Sequence, residues 1–275
     1  MHSPLQSPLQ PVMRSPLEFR RRGGFDPVSA LFGSGQQGVL YDPSVMASLF
    51  QDSAGTIPVT AADQTVGKML DLSGNGNHAI QADASKRPIL RNSGSLWWLE
   101  FDGVNDFMST GNIDFSGTDK VSCWAGVTRL SVSASLVLET SGSFNAYAGS
   151  FAIISGTDGV TVDGFTSKSR GSLNTTLGAY MSDVPMAVSH SLYITHDISG
   201  DISTIHVDGV AGTDGTQDKG AGSFGNYPIY IACRAGTSTF FNGNLYPTII
   251  AGALYDANTV AKMNQYVAKK SGVTL

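Results

Sequence analysis

From residue 38 onward, apolar and polar positions alternate in short runs separated by Gly, Asp and Asn. Trp97, Leu99 and Phe101 alternate with Trp98, Glu100 and Asp102, the two-residue period of a β-strand. Asp102-Gly103 predicts a turn, and Phe107 and Met108 begin a returning strand, so Leu96–Ser109 is expected to be an aromatic hairpin that seeds the core. Similar runs follow at Val121–Leu130, Ser135–Glu139, Ser150–Ser155, Val160–Phe165, Ala187–Thr195, Ile202–Val207, Ile229–Arg234 and Leu245–Ala251. Asp-Gly at 158–159, 163–164 and 208–209, and Asn-Gly at 75–76 and 242–243, supply the tight turns. Regular helices do not alternate with these strands, which argues against a parallel sheet. The expected fold is all-β: an antiparallel two-sheet sandwich.

One helix closes the chain. Asp256 caps it, Val260, Met263 and Val267 form a stripe at helical spacing, and Gly272 stops it. Its place is on the outside of the sandwich. Upstream, Asp42-Pro43 predicts a helix start with Val45, Met46, Leu49 and Phe50 on one face, and Val66–Leu72 reads as a strand.

The first residues follow another logic. Ser-Pro-Leu occurs at 3–5, 7–9 and 15–17, and proline keeps such a backbone stretched. Leu5, Leu9 and Leu17 become spaced apolar knobs, followed by Arg20, Arg21 and Arg22. Residues 1–37 are expected to be an extended basic anchoring arm with Gly-rich hinges, and residues 38–275 the sandwich. Thirteen of the 17 Lys and Arg but 21 of the 22 Asp and Glu lie after residue 24, so the arm is basic and the body acidic. The net charge of −5 gives no general affinity for nucleic acid, and no apolar run is long enough to span a bilayer. Cys123 and Cys233 sit in apolar runs and are expected to be buried free thiols.

Several stretches carry a resemblance. LEFDGVNDFM, ISTIHVDGV and FGNYPIYIACRAGTSTFFNGNLYPTIIAGAL resemble hairpins and closing strands of concanavalin A-like, laminin G-like jelly rolls. LYDPSVMASLFQDSAGTIPVT, DLSGNGNHAIQADASKRPIL and YVAKKSGVTL are similar to tailed-bacteriophage virion proteins. The resemblance covers roughly residues 38–275 and implies a jelly-roll sandwich on a phage particle.

The same superfamily includes glucanases, whose chemistry needs paired carboxylates. The chain has three glutamates, Glu18, Glu100 and Glu139, and none begins a Glu-x-Asp-x-Glu or Glu-x-Asp-x-x-Glu pattern. Glu100 and Asp102 come nearest, but the next position of the same parity is Val104. No catalytic residue is therefore assigned. The five histidines, His2, His78, His190, His196 and His206, show no metal-site spacing. Laminin G-like domains often hold calcium, which makes Asp158, Asp163, Asp214 and Asp218 candidate ligands, but turn-forming Asp is the default and no cofactor is assigned. A glycan site needs exposed aromatics, and Trp98, Trp124, Tyr227 and Tyr230 have the parity to supply them.

The expected function is that of a non-enzymatic virion protein of decoration or fibre type. Its arm would bind capsid, neck or tail proteins, and a homo-oligomer such as a trimer would display the sandwich, with a host surface glycan as a further partner. The alternatives are a lectin or adhesin with a defined glycan site, and a glycan depolymerase whose active site the motifs do not reveal.

Overall fold

A computed structural model describes residues 24–159 and 163–275. The strands, in chain order, are β1 (Gly38–Tyr41), β2 (Leu49–Phe50), β3 (Lys68–Met69), β4 (Ala79–Ile80), β5 (Ile89–Ser93), β6 (Leu96–Asp102), β7 (Met108–Asp114), β8 (Lys120–Arg129) and β9 (Ser135–Thr140). They continue as β10 (Ser150–Gly156), β11 (Gly164–Arg170), β12 (Ala179–Met181), β13 (Ser189–Asp197), β14 (Ile202–Val207), β15 (Val210–Ala211), β16 (Asn226–Ile231) and β17 (Asn242–Ala251). Helix α1 (Pro27–Phe32) precedes them and α2 (Ala257–Ser271) follows.

The strands form a two-sheet antiparallel jelly-roll sandwich. An eight-stranded sheet runs β15-β14-β13-β8-β17-β6-β5, and β1 pairs with the second half of β17. A nine-stranded sheet runs β12-β11-β10-β9-β16-β7-β4-β3-β2. Strands β6 and β7, expected to pair as a hairpin, belong to different sheets. Residues 103–107 are a corner between the layers, and each strand pairs with a distant partner, β6 with β17 and β7 with β16. Physically, both strands are amphipathic, and crossing between layers lets Leu99 and Phe101 meet Met108 and Ile113 in one core.

Buried polar side chains also tie the two sheets through that core, Ser169 to Ser203 at 3.2 Å and His196 to partners in both sheets. His196 on β13 is fully buried, with Nε2 2.9 Å from Ser167 Oγ on β11 and Nδ1 2.8 Å from Ser203 Oγ on β14. Burial, and secondarily the charge of Lys219, pushes its pKa down to about 3. It is therefore a neutral link between the sheets. Both Cys123 and Cys233 are buried and free.

The outer face of the eight-stranded sheet is half covered. Helix α2 lies across it and buries Met263 and Val267 against Trp124, Ile249 and Leu40. Asp256 caps the helix by accepting from the Asn258 and Thr259 amides, and Gly272 ends it at φ 75°, left-handed backbone that suits glycine. Lys270 Nζ and Tyr266 Oη fasten it to the buried Asp42 carboxylate at 2.9 and 2.7 Å.

Three local expectations are corrected. Residues 25–37 are not a hinged extension of the body. Asp26 accepts from Val28 N and caps α1, whose Leu31 and Phe32 pack beneath α2. After Asp42-Pro43 there is only a 3-10 turn, Met46–Ser48, because the chain turns directly into β2. The strand expected to end at Phe165 continues to Arg170 as Gly164–Arg170, with Asp163 in left-handed backbone just before it, and residues 160–162 of that expectation lie outside the described residues. The candidate anchoring residues Leu5, Leu9, Leu17, Arg20, Arg21 and Arg22 lie outside the described residues. No described helix is long and apolar enough to cross a membrane.

The packing of α1 is testable. Leu31→Ala removes a fully buried side chain and should cost about 2–5 kcal/mol in urea unfolding. A stability unchanged from the parent would mean that residues 25–37 hang free of the body.

Candidate functional site

The site grows from the corner between β6 and β7. The Asp102 carboxylate accepts from three successive amides, Val104 N at 2.8 Å, Asn105 N at 3.1 Å and Asp106 N at 3.2 Å. Gly103 adopts φ 74°, and a side chain there would collide with Asn242. The bend brings Asp106 back, so that its Oδ2 accepts from the Asp102 amide at 3.3 Å. Asp106 is buried while Asp102 is exposed. Burial, then the neighbouring charges of Asp102 and Glu100, raise the Asp106 carboxyl to about 6.

Glu100 and Asp102 point to the same side of β6, with Cα atoms about 7 Å apart by strand geometry. Glu100 is paired with Arg91 of β5 at 2.8 Å, and the same guanidinium reaches Asp63 at 2.5 Å. Two carboxylates therefore share one cation on this face. Further along the same face, Trp98 lies against Tyr246 of β17 with ring centroids 5.6 Å apart. The Tyr246 hydroxyl is 3.0 Å from Ser189 Oγ, which is itself 3.0 Å from Thr128 Oγ1. Asn244 stands directly opposite Glu100. The uncovered half of this sheet thus carries an acidic end and an aromatic–amide end.

The four aromatic candidates do not form one platform. Trp98 is on this open half. Trp124 is fully buried under α2, stacked on Tyr193 with its Nε1 donating to Asn264. Tyr227 and Tyr230 belong to the other sheet. Tyr227 Oη donates to Ala148 O and its ring meets Tyr147 edge-on, while Tyr230 is opposite Glu139. Parity placed Trp124 outward, and only the helix laid over it removes it from solvent.

Glu139 is fully buried, holds Arg234 through both oxygens and accepts from the Phe144 amide at 2.6 Å, so its lone pairs are occupied. Of the candidate calcium ligands, Asp158 pairs with Lys168 at 3.2 Å, Asp163 with Arg129, and Asp218 caps Gly220 N. Asp214 is exposed. Among the described residues no group of three or more His, Cys, Asp or Glu is placed to hold a metal ion.

Asp106 is the residue that strand parity missed. Counting every second position led from Asp102 to Val104, whereas the capped turn ends the strand period and returns Asp106 to its neighbour. An Asp four residues beyond a turn-capping Asp is the signal that could have found it.

No family model matches the chain, and no curated protein matches it. Solved structures do. An arabinofuranosidase complexed with arabinofuranosyl-α-1,2-xylobiose matches with TM-score 0.61 at 13% identity, over 89% of this chain and 65% of that one. Trypanosoma rangeli sialidase in complex with sialic acid matches with TM-score 0.54 at 9% identity, over 88% of this chain. The chain spans about a third of that sialidase, 34% of its length. Domain 4 of a GH43 extracellular arabinanase from Geobacillus stearothermophilus, in complex with arabinotriose, matches with TM-score 0.52 at 10% identity, over 82% of this chain and 98% of that one. At such identities the likeness establishes the sandwich fold. It also corrects the expected function. The resemblance to phage proteins finds no support, and the matching sandwiches come from a sialidase, an arabinanase and an arabinofuranosidase, so the non-enzymatic virion reading is withdrawn.

The state of Asp106 predicts a pH signature. Its value of about 6 lies above the ~3.9 of an unfolded chain, so its contribution to stability is complete below about pH 4 and is lost as pH rises through about 6. Asp106→Asn keeps an acceptor for the Asp102 amide but cannot titrate. Between about pH 4 and pH 7 the parent should lose up to about 3 kcal/mol relative to this variant in urea unfolding. Parallel pH–stability curves would show that Asp106 titrates as an ordinary carboxyl.

Proposed function

We propose that the protein cleaves glycosidic bonds in a polysaccharide or oligosaccharide at the acidic end of this face. The observation that carries the proposal is the grouping of Glu100, Asp102 and Asp106 at one corner, with burial and two like charges favouring the protonated form of Asp106. A carboxyl that keeps its proton up to about pH 6 beside charged ones is the arrangement that glycoside hydrolysis uses.

In the proposed reaction Asp106 gives its proton to the glycosidic oxygen as the bond to the anomeric carbon breaks. Glu100, held by Arg91, takes a proton from the water whose oxygen adds to that carbon. The products are two shorter sugars, one with a new reducing end. Asp102 acts as a positioning residue, since its charge raises Asp106 and its carboxylate shapes the turn. The glycosidase sandwiches with the same fold support the reading at the level of architecture.

The test is release of reducing ends from arabinan, arabinoxylan and sialylated glycans. Asp106→Asn and Glu100→Gln should each lower kcat at least ~100-fold, and the parent rate should fall as pH rises through about 6, when the proton donor ionises. Glu100→Gln should change stability by no more than about 1 kcal/mol, because its ion pair is part-exposed and the glutamine keeps an acceptor for Arg91. Turnover that survives both substitutions would place the chemistry elsewhere.

A further inference from the structure

Two polar atoms beside the carboxylates have no partner among the described residues, Trp98 Nε1 and Asn244 Oδ1. One is a donor and the other an acceptor, and both belong to the outer face that carries Glu100. Asn244 is directly across from Glu100 on β17, and Trp98 precedes Glu100 by two residues on β6. The side chains around them are already committed. Tyr246 is engaged by Ser189, Ser189 by Thr128, and Arg91 by Glu100 and Asp63. A donor and an acceptor left dry and unpaired cost about 1–3 kcal/mol each, a cost that one bridging group able to accept and donate would relieve. A hydroxyl is such a group.

We propose that this is a sugar subsite in which one hydroxyl of a neutral sugar residue accepts from Trp98 Nε1 and donates to Asn244 Oδ1. The proposal rests on the glycan-cleaving reading and names its substrate class. Trp98 and Asn244 are both part-exposed as residues, and the terminal amide torsion of Asn has a broad minimum, so a modest turn of Asn244 opens the pair to a ligand. The indole supplies an apolar surface for the ring, held at its angle by Tyr246. Charge selects against acidic sugars. Asp63 and Glu100 share the single guanidinium of Arg91, and Asp102 adds a further negative charge two residues along the same strand face. Sugars that bear a carboxylate are repelled, and neutral pentose or hexose units are admitted.

The experiment follows the indole N–H signals of the full-length, nitrogen-15-labelled protein, which has three tryptophans, assigned by single Trp→Phe variants. The neutral probes are arabinotriose, xylobiose, cellobiose and lactose, and the acidic probe is sialic acid. At least one neutral probe should move the Trp98 signal saturably while sialic acid does not. The Trp124 signal, whose N–H is bonded to Asn264 under the helix, should stay in place. Trp98→Phe, which keeps a ring but loses the donor, and Asn244→Leu should each weaken binding of that probe at least ~10-fold, about 1.4 kcal/mol. Folding of both variants is checked by the undisturbed Trp124 signal.

A Trp98 signal unmoved by every neutral probe, or moved as much by sialic acid, overturns the proposal. Affinity unchanged in both variants also overturns it and leaves an ordered water as the occupant. The two readings separate cleanly. Turnover that depends on Glu100 and Asp106, with KM unchanged in Trp98→Phe and Asn244→Leu, removes this subsite and keeps the hydrolysis. Binding as described without any release of reducing ends keeps the subsite and removes the hydrolysis.

Discussion

The three amide hydrogen bonds accepted by the Asp102 carboxylate are the constraint on which the arrangement depends. They end β6 and turn the chain out of the eight-stranded sheet, so that β7 can start in the nine-stranded one. Without that corner, Phe101 and Met108 would not face each other across a common interior. The same bend also sets the chemistry. It returns Asp106 to within hydrogen-bond distance of the residue that caps it, and buries it there. A structural device of the fold and a cluster of interacting acids are thus one object.

The two sheets divide the labour unequally. On the eight-stranded sheet, α1 and α2 seal the half around Trp124 and leave the half around Trp98 open. The lock between Asp42, Tyr266 and Lys270 fixes where the helix stops, and hence where the open half begins. On the nine-stranded sheet, Glu139 and Arg234 satisfy each other, and the Phe144 amide completes the set. A buried carboxylate so fully engaged contributes to local order rather than to proton transfer. His196 is comparable in the interior, where serines on two strands occupy both ring nitrogens and burial keeps it uncharged.

The difference between Glu139 and Asp106 shows why burial alone does not mark a reactive acid. Both are withdrawn from water. Glu139 meets a guanidinium at bonding distance, whereas Asp106 meets the charges of Asp102 and Glu100, with one amide in compensation. Like charges close to a desolvated carboxyl favour its neutral form, which is the state a proton donor requires.

The sequence by itself determined the strand periodicity, the closing helix with its Asp256 and Gly272 boundaries, and the all-β sandwich. These follow from local rules that act over a few residues: two-residue alternation, capping and turn chemistry. It also placed Trp98 outward correctly by parity. Tertiary structure alone decided that β6 and β7 pair with β17 and β16 rather than with each other, because partner choice depends on which faces share a core. Tertiary structure likewise buried Trp124 beneath a helix about 140 residues away in sequence and brought Asp106 back to Asp102 through a capped turn. Parity states which way a side chain leaves its strand, and only the packed chain determines what it meets there.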